Sequence, residues 1–216
     1  MKNYETRYLK IEQVRAIELE GKRTIGGYAA VFEKYSENLG MFHEIREKIQ
    51  PGAFAESLQK DTQMAFWNHN NDYPIGSTKN GSLRLKEDSY GLSFELDLPD
   101  TQMGRDVYTN VKTGIIDGMS FGFRATADKV ERGATESDPI IRTLIKGQLV
   151  EVSPVVYPAF PQTEVESRSL DELVKGKLAE IDKPIEPKGK PVAEFRTRTN
   201  VAALKAKLHK DIFGAC

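Results

Sequence analysis

The sequence predicts a mixed, β-rich fold, a small barrel or sandwich of short strands with two or three helices packed outside. Branched and aromatic residues recur in short runs divided by turn chemistry. Residues 82–85 and 92–98 alternate apolar and polar by two, the signature of a half-buried strand. A helical period appears only in a few stretches, the clearest at 101–114 and 169–181.

Taken in order, residues 8–19 mix branched and aromatic side chains with charges, which predicts a strand exposed on one side. Residues 24–32 read as a more buried strand, with Gly26-Gly27 marking a bend or bulge. Residues 44–49 lead into a short helix over 51–58 with Pro51 near its start. Residues 63–68 form another apolar strand. Between 82–85 and 92–98, Glu87-Asp88-Ser89-Tyr90-Gly91 supplies a turn, so the pair predicts a hairpin. Met103, Val107 and Val111 share one face of a helix that Gly114 ends. Strands return at 118–125, 140–146 and 149–157, with 128–139 as a polar surface loop.

The character changes after about Pro161. Leu170, Leu173, Val174 and Leu178 give a helix with Ser169 as its N-cap. Residues 182–191 carry prolines and charges that cannot build a core, so they read as a linker. Val201, Leu204, Leu208 and Ile212 outline a last amphipathic helix. The expected organisation is a main domain over 1–165 and a charged extension over 166–216, of helical segments joined by a Pro/Lys-rich linker.

Composition narrows the function. With 31 Lys+Arg against 32 Asp+Glu there is no basic field to bind nucleic acid. No apolar run is long enough to span a membrane, and the first residues lack the apolar stretch of a secretory signal. The single cysteine, Cys216, is the last residue; it staples nothing, is poorly placed as a nucleophile, and points to a cytosolic setting. His43, His69 and His209 stand far apart, without HExxH or CxxC, which argues against a transition-metal site. Neither GxGxxG nor a phosphate-binding loop appears, so no cofactor is expected.

Three residues remain as candidates for chemistry. Ser120 lies in Gly118-Met119-Ser120-Phe121-Gly122-Phe123, a small polar residue amid apolar ones, and its hydroxyl needs a base to become a nucleophile. Its alternative is a hydrogen-bonded strand serine. Although Gly118 to Gly122 satisfies GxSxG literally, the strand continues past Ser120, which disfavours the nucleophile elbow of an α/β-hydrolase. His69, in Phe66-Trp67-Asn68-His69-Asn70, sits where an apolar strand meets a polar loop, as a proton carrier or as a structural histidine. Glu151 interrupts an apolar strand: facing inward it needs a partner, and an imidazole N–H suits. The alternatives are an outward side chain or a pair with an arginine such as Arg142. His43 and His209 read as solvated.

Taken in order, Gly27-Tyr28-Ala29-Ala30-Val31-Phe32, Ile49-Gln50-Pro51-Gly52-Ala53-Phe54, Phe66-Trp67-Asn68-His69-Asn70, Pro74-Ile75-Gly76, Gly91-Leu92-Ser93-Phe94-Glu95, Asp97-Leu98-Pro99-Asp100-Thr101, the segment around Ser120, and the segment from Leu149 to Pro158 resemble the prohead serine proteases of tailed phages. That family has a fold similar to herpesvirus assemblin, and the resemblance covers roughly residues 20 to 168. It implies a small closed or partly closed β-barrel surrounded by helices, followed by a helical or disordered tail. His69 and Ser120 would be the catalytic pair, with Glu151 in the third place, where assemblin uses a second histidine; Asp72 and Asp117 compete for that place. The implied substrates are the scaffolding region of the major capsid protein or a separate scaffold, and the protease itself, cleaved inside the procapsid in the host bacterial cytoplasm. Assemblin-type relatives dimerise, so a homodimer is one assembly the resemblance allows. The tail would be a docking or self-processed segment, or a solvated extension. Two rival readings are a non-enzymatic capsid scaffold protein on the same fold and an unrelated esterase.

Overall fold

The computed structural model describes residues 4–10, 14–19, 21–135, 138–156 and 164–181. The linker expected over 182–191, the last helix, His209 and Cys216 lie outside them. One compact unit takes in Met1–Asp182. No helix among the described residues is long and apolar enough to cross a membrane.

The β-rich mixed reading holds, with the strands arranged in two sheets. The larger runs β1 (Glu5–Lys10), β9 (Gly118–Glu131), β10 (Ile140–Val155), β5 (Met64–Trp67) and β6 (Asn70–Ser77), with β4 (Ile45–Ile49) also paired to β10. The smaller runs β2 (Arg15–Leu19), β3 (Lys22–Val31), β8 (Gly91–Asp97) and β7 (Leu83–Glu87). Among the described residues this pairing leaves two sheets with edges; it does not close one ring. The helices are α1 (Ala55–Lys60), α2 (Gln102–Lys112) and α3 (Glu164–Ile181).

Several local expectations hold. β7 and β8 form the hairpin, and the Asp88 carboxylate accepts from the Tyr90 and Gly91 amides in its turn. Thr101 caps α2 by accepting from the Gly104 amide at 3.1 Å, while Val107 and Val111 turn into the core. The bend expected near Gly26-Gly27 is an irregularity between Tyr28 and Ala30.

Other elements differ. The single strand read over 8–19 is two strands in different sheets. The break read at Gly147-Gln148, between strands 140–146 and 149–157, is absent, because β10 passes through it with register irregularities. β9 runs on to Glu131, into the stretch read as loop. α3 starts at Glu164, so Ser169 lies inside the helix and does not cap it. Its buried Leu170, Val174 and Leu178 pack with Leu39, Ile45 and Val130, while Leu173 faces out.

The main core joins both sheets. Ile25, Ala29, Phe94 and Leu96 of the smaller sheet share it with Met119, Phe121, Phe123, Leu149 and Val152 of the larger. Phe54, just before α1, meets Phe121 and Phe123 edge-on at ring separations of 5.8 and 6.2 Å.

A buried charge cluster ties the larger sheet together. Arg142, fully enclosed, reaches Glu5 at 2.6 Å, Glu47 at 2.8 Å and Asp128 at 2.7 Å. Arg7 bonds Glu47 at 2.7 Å and Glu5 at 2.6 Å, and Lys177 of α3 completes the set on Asp128. Three cations thus face three carboxylates, which is what keeps their desolvation tolerable. Burial pushes the Glu5 carboxyl up, but its bonds to Arg142 and the charge of Arg7 outweigh that and hold it below its usual range. Asp128 is likewise held low by Lys177 and Arg142 against the push of burial.

Two outcomes follow from the cluster. Arg142→Met removes the buried cation that joins three carboxylates, leaving two cations, Arg7 and Lys177, to face them, and is expected to lower stability by about 3–5 kcal/mol in a urea titration. Because both carboxyls are depressed in the folded state, their stabilisation is present above the ordinary carboxylate range near about pH 4 and is lost as pH falls through the folded values. The acid loss of stability in wild type is therefore expected to be shallower in Arg142→Met.

Candidate active site

The site lies on the face of β9 that looks away from the Phe121–Phe123 core. Strand alternation sends Met119, Phe121 and Phe123 to the core and Gly118, Ser120 and Gly122 to the other side. β10 lies antiparallel beside it, with Ser153 opposite Ser120 and Glu151 opposite Gly122. Simple alternation would put Glu151 on the same face as the core residue Leu149. Val150 prevents this, for it is the extra residue of a bulge between the pairs Leu149–Phe123 and Glu151–Gly122. The bulge turns the carboxylate over to the serine side.

His69 arrives from the next strands over. β5 runs parallel to β10 and returns as β6 through the two-residue turn Asn68-His69, where Trp67 pairs with Asn70. Both turn residues have positive φ, 50° and 57°, the type I′ requirement. Asn suits the first place, but the second usually takes glycine, so the imidazole is carried at a strained position. The Asn68 amide donates to the Pro154 carbonyl at 3.1 Å, pinning the turn over β10.

Here the three candidates meet. His69 Nδ1 lies 2.6 Å from Glu151 Oε1 and Nε2 lies 2.6 Å from Ser120 Oγ. An ionised carboxylate only accepts, so Nδ1 carries the hydrogen and Nε2 is left to accept from the hydroxyl. Glu151 is fully buried, and its other oxygen accepts from Ser153 Oγ at 2.5 Å. Arg142, the arginine weighed as a partner for Glu151, is engaged instead with Glu5, Glu47 and Asp128. Asp72 and Asp117 are both exposed, whereas Glu151 is buried. His43 is on the surface, 3.2 Å from Asp171 of α3.

Reading the sequence missed two parts of the arrangement. Ser153 was legible in principle, since Glu151 and Ser153 are two apart and share a face. The second is β1, whose Arg7 carbonyl accepts from Ser120 Oγ at 2.8 Å. No local signal in the sequence pairs residues 113 positions apart.

The flanking glycines have a steric role. A Cβ on Gly122 would stand 2.4 Å from the Tyr4 ring and 2.6 Å from Glu151 Oε1; on Gly118 it would stand 2.5 Å from Tyr8. Glycine here makes room for the rings and the carboxylate. Burial first, then the nearby Glu151 charge, pushes the Tyr4 hydroxyl up to about 12. Burial and then Asp117 raise Tyr8 as well.

A serine hydroxyl, an imidazole and a buried carboxylate in this chain of bonds have the geometry of a nucleophilic hydrolase triad, on a β-rich scaffold. The family model described as caudovirus prohead serine protease matches residues 10–176, and the chain belongs to that family, which makes it a serine peptidase of the phage prohead. Among solved structures, the bacteriophage T4 capsid assembly protease gp21 aligns at 11% identity and a TM-score of 0.45, over 71% of this chain and 99% of that one, a likeness too loose to bear on function. No curated protein matches the chain.

Ser153→Ala removes a donor from a fully buried carboxylate, and is expected to lower stability by about 1–3 kcal/mol in denaturant titration. Gly122→Ala drives a methyl group into Glu151 and the Tyr4 ring, with an expected loss of the same order, about 1–3 kcal/mol.

Proposed function

We propose that the chain is an endopeptidase of capsid maturation in which Ser120 is the nucleophile, His69 the general base and Glu151 the residue that orients and balances the imidazole. The observation that carries this reading is the His69 ring bonded at 2.6 Å on one side to a buried carboxylate and at 2.6 Å on the other to a serine hydroxyl. In acylation the Ser120 hydrogen passes to Nε2 as Oγ bonds the scissile carbonyl carbon. The tetrahedral intermediate collapses as Nε2 returns that proton to the leaving amine, leaving an acyl ester on Ser120. Water, deprotonated by His69, then attacks the ester and frees the second product and the serine. Glu151, bonded to Nδ1, orients the ring and stabilises the imidazolium formed in each half.

The proposed substrates are the scaffolding region of the major capsid protein, or a separate scaffold protein, and the protease itself, cut within the procapsid. Co-expression with the cognate capsid protein tests this. Wild type is expected to yield shortened capsid protein and Ser120→Ala to leave it full length. Equal shortening in both would remove Ser120 from the mechanism, and none in either favours a non-enzymatic scaffold. Glu151→Gln is expected to cost about 10³- to 10⁴-fold in kcat, as for other triad carboxylates, whereas Asp72→Asn leaves the rate near wild type.

A further inference from the structure

Building on Ser120 as the nucleophile, we infer that β1 is a resident pseudosubstrate: it occupies the edge of β9 where an extended substrate strand binds, and it must leave before Ser120 can cut a peptide in trans. Ser120 is only 1% exposed. A nucleophile closed off to that degree cannot receive a peptide carbonyl, so something above it has to move.

What covers it is a strand of the same chain in the posture of a bound peptide. Residues 5–10 lie antiparallel to residues 118–123 in unbroken register, with Tyr8 opposite Ser120. Extended peptides bind sheet edges in this way, by main-chain bonds along the strand with side chains in flanking pockets. The pockets are present: the Tyr4 and Tyr8 rings fill the spaces over Gly122 and Gly118. Where a scissile carbonyl would arrive stands the Arg7 carbonyl, bonded to Ser120 Oγ at 2.8 Å. The hydroxyl has one hydrogen and two acceptors, so whenever Arg7 takes it, His69 does not.

β1 is also placed to leave. It ends the order of its sheet, so its departure breaks one ladder and bares only the edge of β9. Arg7 and Glu5 hold it on the opposite face through Glu47 and Arg142, which sets how firmly the site is closed. The same geometry states the substrate class: an extended segment with a bulky flat side chain directly after the scissile carbonyl and another three residues before it, as Tyr8 and Tyr4 stand to Arg7.

The test uses the full chain and a fluorophosphonate probe that labels activated serines. Tyr8→Gly empties one pocket without touching the charge cluster, and is expected to label Ser120 at least about tenfold faster than wild type by raising the open fraction. A synthetic peptide of residues 4–10 is expected to slow the variant again. Equal labelling rates in wild type and a folded Tyr8→Gly overturn the pseudosubstrate while leaving the nucleophile intact. If neither labels, the nucleophile assignment fails and this inference falls with it. Should Tyr8→Gly not fold, hydrogen exchange on wild type decides: after phosphonylation the amides of residues 5–10 are expected to lose protection while those of β10 keep it, and retained protection in β1 sinks the idea.

Discussion

A strand offers two faces and no third, and β9 uses that constraint to separate structure from chemistry. Phe121 and Phe123 on one side join the core with Phe54; Ser120 between two glycines stands on the other. The rings supply the apolar burial that fixes the strand, at about 25 cal/mol per Å² removed from water. The glycines leave the space in which a buried carboxylate and two tyrosine rings can sit. Shifting β9 by one residue against β10 would exchange the faces, so core packing fixes the register that sets Ser120 opposite Ser153.

β10 is the complement of that strand. It is paired along one side by β9 and along the other by β4 and then β5, so one strand carries Arg142 near its start and Glu151 and Ser153 near its end. The bulge at Val150 lets it serve both the core and the site. Arg142 gathers carboxylates from β1, β4 and β9, and Lys177 brings α3 to the same cluster. The two buried polar centres, one structural and one at the site, are therefore arranged along a single strand.

Much of this was legible in the sequence, and the limits have physical causes. Hairpin β7–β8 and helix α2 could be read because their signals are local: turn residues, a capping threonine, a repeated apolar face. The polar run after His69 hid β6, whose early residues are exposed and whose Pro74 is tolerable on an edge strand. Ser120, His69 and Glu151 each had an ordinary structural alternative, and family resemblance singled them out. Their contact depends on strand pairing across 51 and 82 positions. The charge cluster was missed for the same reason, since Glu47 and Arg142 look like exposed strand charges until β4 is laid against β10. The Val150 bulge leaves no mark in composition.

The Asn68-His69 turn has a consequence for how the site spends its conformational freedom. A two-residue hairpin has no slack, its torsions are committed, and the ring is tied at both nitrogens. For the proposed general base this means almost no search left to make when a peptide arrives; the entropy of arranging the imidazole was surrendered once, during folding, and would not be demanded again at each turnover. In the proposed mechanism a glycine at 69 would relax the backbone and remove the general base, so stability and reactivity compete at one residue.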